Sequence, residues 1–152
     1  MMENNHQVIT EQIEKNMKQA FYDLIDQNTN SENPDFDWIV NLYVEIKKKL
    51  MHYLKKDSDT YKSVDESFDV EIFSQMIRND VFSQESMIKL VDNTFYWIKY
   101  LGAPYRDNDI NNSKKKVLES PLNKIISVFL KEVHQCITFY DEDMERFFKQ
   151  QK

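Results

Sequence analysis

Glycine occurs once in this chain, at Gly102, and proline only three times. Hairpins and other sheet turns draw on Gly, Asn-Gly and Pro, which supply the backbone angles that reverse a strand. A chain nearly without them is expected to be helical. The same scarcity removes the Walker and dinucleotide phosphate loops, which need several residues lacking a Cβ so that the backbone can approach a phosphate. The 152 residues fit one domain, since single domains most often run about 100–150 residues, and suffice for a core without staples. Ten Phe, eight Tyr, two Trp and seven Met provide bulky, adaptable side chains to fill the space between helices. The expectation is an all-α, single-domain bundle of five to six helices over residues 1–152, with its core from about 5 to 149.

The formal net charge is −6. Duplex binding rests on phosphate neutralisation, so nucleic acid is not an expected partner. The basic clusters Lys47-Lys48-Lys49, Lys55-Lys56 and Lys114-Lys115-Lys116 read as solvated helix faces or loops. No signal-peptide core and no apolar run near 18 residues occurs, so the chain is expected to have no membrane span and to reside in the cytoplasm. Cys136, the single cysteine, fits a reducing compartment.

Apolar residues recur at three- and four-residue steps along most of the chain. A first helix is predicted from about Asn5 to Gln27, with Val8, Ile9, Ile13, Met17, Phe21, Leu24 and Ile25 on one inward stripe. Asp35 is a plausible cap for a second helix reaching about Lys55, with Phe36, Ile39, Tyr43, Ile46 and Leu50 inward. The polar stretch from Asp57 to Glu66 reads as a linker. A shorter helix follows from Ser67 to Asn79, with Phe68, Ile72, Phe73, Met76 and Ile77 inward. Ser83 begins a fourth helix, and Gly102 stands where a left-handed C-terminal cap is expected, before Pro104. A short helix around Lys114 to Leu118 precedes the last one. There Ser120 and Pro121 read as N-cap and first residue of a helix to about Lys149, with Ile126, Phe129, Val133, Ile137, Tyr140 and Phe147 inward.

The chain offers little for catalysis. His6, His52 and His134 are far apart, His-Glu-x-x-His does not occur, and Glu-x-x-His, which a di-iron bundle needs twice, occurs once, at Glu3 to His6, so no metal or other cofactor is expected. His134 and Cys136 point about 200° apart on a helix. Asp57-Ser58-Asp59 begins like a calcium loop but lacks its glycine and terminal Glu. Cys136 on an amphipathic helix reads as a small buried hydrophobe. These readings point to a non-enzymatic protein.

The unusual local feature is Ala103-Pro104-Tyr105-Arg106-Asp107, directly after a helix end. One reading is a structural corner, Arg106 being tied to an acid such as Glu45 or Asp69. Another is a contact for a partner or an anion through Arg106. A small-ligand site or enzyme would place Arg106 with Asp107, Glu45 or Gln75 around a polar cleft. A third reading is a homo-oligomer formed through an aromatic surface at Phe95-Tyr96-Trp97.

The same corner resembles the Ala-Pro-Val-Arg-Asp signature of the T-complex protein 11 family. Three other segments agree in order. Lys18 to Ile25 (Lys-Gln-Ala-Phe-Tyr-Asp-Leu-Ile) is similar to the family's Lys-Ala-Phe-Trp-Asp helix. Asp37 to Leu42 with Glu45-Ile46-Lys47 resembles its Leu-x-Glu-Ile-Lys helix. Phe68 to Ile72 followed by Gln75 resembles its Leu-Asp-x-x-Leu-x-x-Gln segment. The likeness is clear over Lys18 to Asp109 and weaker in the final helix, which lacks the family's Met-x-x-Asp stretch. Tyr105 stands where Val is usual. A full set of amphipathic stripes with no catalytic cluster points to an adaptor or regulator that binds other proteins, and the resemblance implies a helical, non-enzymatic protein linked to cyclic-AMP signalling. The abundance of Asn, Lys, Ile and Asp suggests an AT-rich genome, viral or protist.

Overall fold

Four helix starts in this chain are set by short polar side chains that accept hydrogen bonds from the first free backbone amides. A computed structural model describes residues 2–79 and 83–151, with side chains from Asn5 onward. Among the described residues there are seven α-helices, two 3-10 turns and no strand. The helices are α1 (Met2–Thr29), α2 (Phe36–Met51), α3 (Asp59–Ser67), α4 (Val70–Arg78), α5 (Gln84–Leu101), α6 (Asp107–Glu119) and α7 (Ile125–Gln150). The 3-10 turns are Pro104–Arg106 and Leu122–Lys124. Asp35 caps α2 by accepting from Trp38 N at 3.2 Å, and Ser83 caps α5 by accepting from Ser86 N at 3.1 Å.

The all-α bundle agrees with the sequence reading, and several local expectations do not; α2 ends at Met51, short of Lys55, and α6 spans Asp107–Glu119 where only a short helix around Lys114 to Leu118 is expected. The stretch from Asp57 to Glu66 is not a linker. Ser58 accepts from Tyr61 N at 3.1 Å and starts α3, which buries a single apolar residue, Val64, too little for a periodic signal. Asp69 begins α4 by accepting from Ile72 N at 3.0 Å, so the expected helix from Ser67 starts later. Gly102 is not left-handed but extended, at φ −86°. Its lack of a side chain still matters, because a Cβ there would lie 2.9 Å from the Ile98 carbonyl oxygen. Ser120 does not cap the last helix. It ends α6, its hydroxyl donating to Val117 O, and the chain passes through Pro121 and a 3-10 turn before α7 begins at Ile125.

The core gathers on α7, which packs against α1, α2, α5 and α6. Ile126, Phe129, Leu130, Val133, Cys136, Ile137 and Tyr140 are buried along it. They meet Ile39, Tyr43, Ile46 and Leu50 of α2, and Met87, Val91, Phe95 and Ile98 of α5. Each such side chain stabilises the fold by roughly 1.5–3 kcal/mol relative to exposure, before entropy is subtracted. Tyr43 stacks on Phe73 with ring centroids 4.0 Å apart, which seats α4 on α2. Burial raises the Tyr43 phenol above its ordinary range, with Asp69 adding to the shift. Beyond α1, Ile72, Ile88, Leu122 and Phe147, which the three- and four-residue steps place inward, are exposed, while Leu42 and Leu130 join the core beyond the expected stripes and Cys136 is buried as expected.

The stripe of α1 departs most from expectation. Phe21 and Ile25 pack on the core, but every residue from Asn5 to Ala20 is exposed. The physical reason lies in helical register. Positions seven and eleven residues before Ile25 are Lys18 and Glu14, and those before Tyr22 are Lys15 and Glu11. The face that docks therefore turns charged toward the N-terminus. Ile9, Ile13, Met17 and Leu24 follow a line within about 80° that is rotated away from it.

Candidate functional site

The Arg106 corner is built by three consecutive events at the end of α5. Gly102 N donates to Ile98 O at 3.0 Å and closes the helix. Pro104 then occupies the first position of a 3-10 turn that Arg106 N closes by donating to Ala103 O. Asp107 follows as the first residue of α6, an acid where the helix dipole favours one. The turn aims Arg106 at α7. Its Nε donates to Asp143 Oδ2 and its Nη2 to Asp143 Oδ1, each at 3.1 Å, a bidentate pair.

Phe139, one helical turn before Asp143, lies 4.3 Å from the guanidinium carbon, and the Tyr105 ring lies 4.8 Å from it. The Tyr105 hydroxyl donates to Asp143 Oδ1. The Arg106 and Asp143 side chains retain only 17% and 10% of their exposure. The hydrogen bond that Arg106 donates to Asp143 outweighs burial and raises the Arg106 pKa. Burial pushes the Asp143 carboxyl up, but the Arg106 and Tyr105 hydrogen bonds prevail and hold it below the usual carboxylate range.

Arg106 is thus tied neither to Glu45 nor to Asp69. Glu45 and Gln75 are exposed on α2 and α4, and Asp69 is occupied in capping α4. The structure brings Pro104, Arg106 and Asp107 together and leaves Glu45, Asp69 and Gln75 elsewhere. Tyr105, Phe139 and Asp143 complete the corner. Asp143 was legible only as an acid on a helix surface, because nothing in its spacing links it to a residue 37 positions earlier. A polar groove of about 580 Å³ between α6 and α7 has Phe139 in its wall, but Arg106 is not part of it.

Other titratable groups are engaged in packing. Tyr22 Oη and His134 Nδ1 share a hydrogen bond at 2.6 Å that fastens α1 to α7. Burial, with Lys49 adding to it, pushes His134 down to about 4, so its imidazole is neutral at pH 7. Burial raises the Cys136 thiol, which opposes the thiolate form a nucleophile requires. Among the described residues, no three His, Cys, Asp or Glu side chains are grouped as metal ligands, and no helix is long and apolar enough to cross a membrane.

Apolar surface remains uncovered on α1 and α5, among other places. On α1, Val8, Ile9, Ile13 and Met17 are 53% to 68% exposed. On α5, Phe95 is buried, but Tyr96 and Tyr100 are exposed and stack on one another beside the half-buried Trp97.

Fold and corner together define an all-helical bundle whose most distinctive polar residues are bound to one another. The T-complex protein 11 family model matches residues 1–139, and the chain belongs to that family. The match extends beyond the segments that carried the resemblance, covering α1 through α6 and ending inside α7. Arg106 lies within it and Asp143 just outside it. No solved structure matches the chain.

Proposed function

We propose that this protein is a non-enzymatic adaptor or regulator that acts by binding another protein through the free half of α1. The observation that carries this reading is the run from Asn5 to Ala20, helical yet wholly exposed, with Ile9, Ile13 and Met17 aligned on its surface. A helical segment of this length has marginal stability in water by itself, and tertiary contact is what ordinarily holds one. An aligned apolar stripe laid into a partner's groove supplies that contact. The Arg106 corner is read as a structural clamp, since its guanidinium lies over two rings and is bidentate to Asp143. The buried thiol of Cys136 and the neutral His134 fit the absence of a reaction of its own. Cytoplasmic residence, expected from the lone cysteine and the lack of a signal-peptide core, and a link to cyclic-AMP signalling, expected from the family resemblance, belong to the same proposal.

The test combines affinity capture from the native cell with light scattering across a concentration series, comparing wild type with the I9E/I13E/M17E variant. The variant is expected to keep the wild-type melting temperature and to lose a specific protein partner. Retention of every partner by the variant would refute the reading. Concentration-dependent dimerisation of the wild type that the variant abolishes would instead make the α1 partner a second copy of the chain.

A further inference from the structure

Between Lys47 and Lys56 the chain carries five lysines, one histidine and no acid, although its net charge is −6. Lysines in the last turn of α2 offset the negative end of the helix dipole, which accounts for Lys48 and Lys49 but not for Lys55 and Lys56 beyond it. The fold gathers part of this cluster around a depression. Where α2 ends and α3 packs back on it, a groove of about 460 Å³ opens, with Lys48, His52 and Lys56 along it. Its apolar lining includes Leu54, Tyr61 and Val70, all only partly buried. The single acid in the wall, Asp65, is held by Lys47 Nζ at 2.8 Å. Among the described residues, Lys48, Lys49, Lys55 and Lys56 make no ion pair, a property they share with several scattered lysines, and here the four lie within nine residues of one another.

We propose that this groove is a docking site for an acidic amphipathic segment of a partner protein. The apolar residues of the segment rest on Leu54, Tyr61 and Val70, and its carboxylates face Lys48, His52 and Lys56. The charge of the rim selects the sign of the occupant, and the apolar lining selects its chemistry. A free phosphate would leave that lining exposed, and the rim offers neither the arginine fork nor the row of backbone amides that such an anion favours. The concave shape suits a helix or extended segment better than a flat lipid surface. On the far side of Lys48 and His52 the surface turns mixed, where Asp141 and Glu145 of α7 meet Lys49 and Tyr53. Those acids limit the site to the α3 side. The site is separate from α1 and does not require the α1 reading to hold.

The test uses fluorescence anisotropy with a labelled helical peptide built only of Leu and Glu, the Leu residues at three- and four-residue steps. The same peptide with Lys for Glu serves as counterpart, and phosphatidylserine vesicles form a separate arm. Wild type is expected to bind the Glu peptide in preference to the Lys peptide, with affinity falling as salt rises. K48E/K56E is expected to weaken binding about tenfold or more. K115E/K124E, which makes the same charge change elsewhere, and I9E/I13E/M17E are expected to leave it intact. Circular dichroism checks that each variant is folded, and K48Q/K56Q repeats the test without charge reversal. Equal binding of the two peptides, binding indifferent to both Lys48/Lys56 variants, or binding to vesicles and not to the Glu peptide would each overturn the proposal.

Discussion

Replacing Arg106 with Ala separates a structural clamp from an idle surface pair. The side chain makes two charged hydrogen bonds to Asp143 in a setting where both partners are largely withdrawn from water. Charged hydrogen bonds of this kind contribute about 1.5–3 kcal/mol net. Stacking against Tyr105 and Phe139 adds about 0.5–1 kcal/mol. The loss expected for R106A is therefore about 2–4 kcal/mol, part of it the cost of leaving the Asp143 carboxylate desolvated without its counter-ion. For a chain of this length each kcal/mol moves the melting temperature by about 2–4 °C, so a fall of about 5–15 °C is expected. D143A should be comparable. The double variant should be much less destabilised than the sum, with a coupling of about 2 kcal/mol, because each single change already breaks the same contact. Urea denaturation of the four proteins at pH 7 measures all three quantities. Additive effects with a coupling below about 0.5 kcal/mol would show that the pair holds nothing together. E45A and Q75A are the controls, expected within about 0.5 kcal/mol of wild type because both side chains are exposed.

Acid should loosen the α1–α7 contact. His134 titrates near 4 in the folded chain and near 6.5 unfolded, so the unfolded state binds more protons between those values. Stability is then full above about pH 6.5, declines as the pH falls, and has lost about 2.5 kcal/mol at pH 4.5. Comparing urea midpoints at pH 7.5 and 4.5 should show a smaller pH-dependent loss in H134Q, and an equal loss would refute the assignment. G102A should cost about 1–3 kcal/mol, because the new methyl group meets the Ile98 carbonyl oxygen of α5. A thermal melt unchanged from wild type would mean that the α5 end shifts at no cost.

The amino-acid sequence by itself determined that the chain is helical, where most helices lie and which residues line most of the core. Those properties follow from local causes: the single glycine, the 3.6-residue apolar period, and caps such as Asp35 and Ser83 that act within one turn. It also pointed to the family, because the motifs around Phe21, Ile46, Phe68 and Arg106 are contiguous strings. Helix α3 escaped notice because a single buried residue, Val64, makes no period. Only tertiary structure decided which acid receives Arg106, since Asp143 comes near it through the packing of α7 and not through any spacing along the chain. It likewise decided that Ile13 and Met17 stay in solvent while Ile25, on the same helix, is sealed. A hydrophobic stripe can be read from the sequence, but which face of the helix docks is set by its neighbours, and a stripe rotated away from that face stays in solvent.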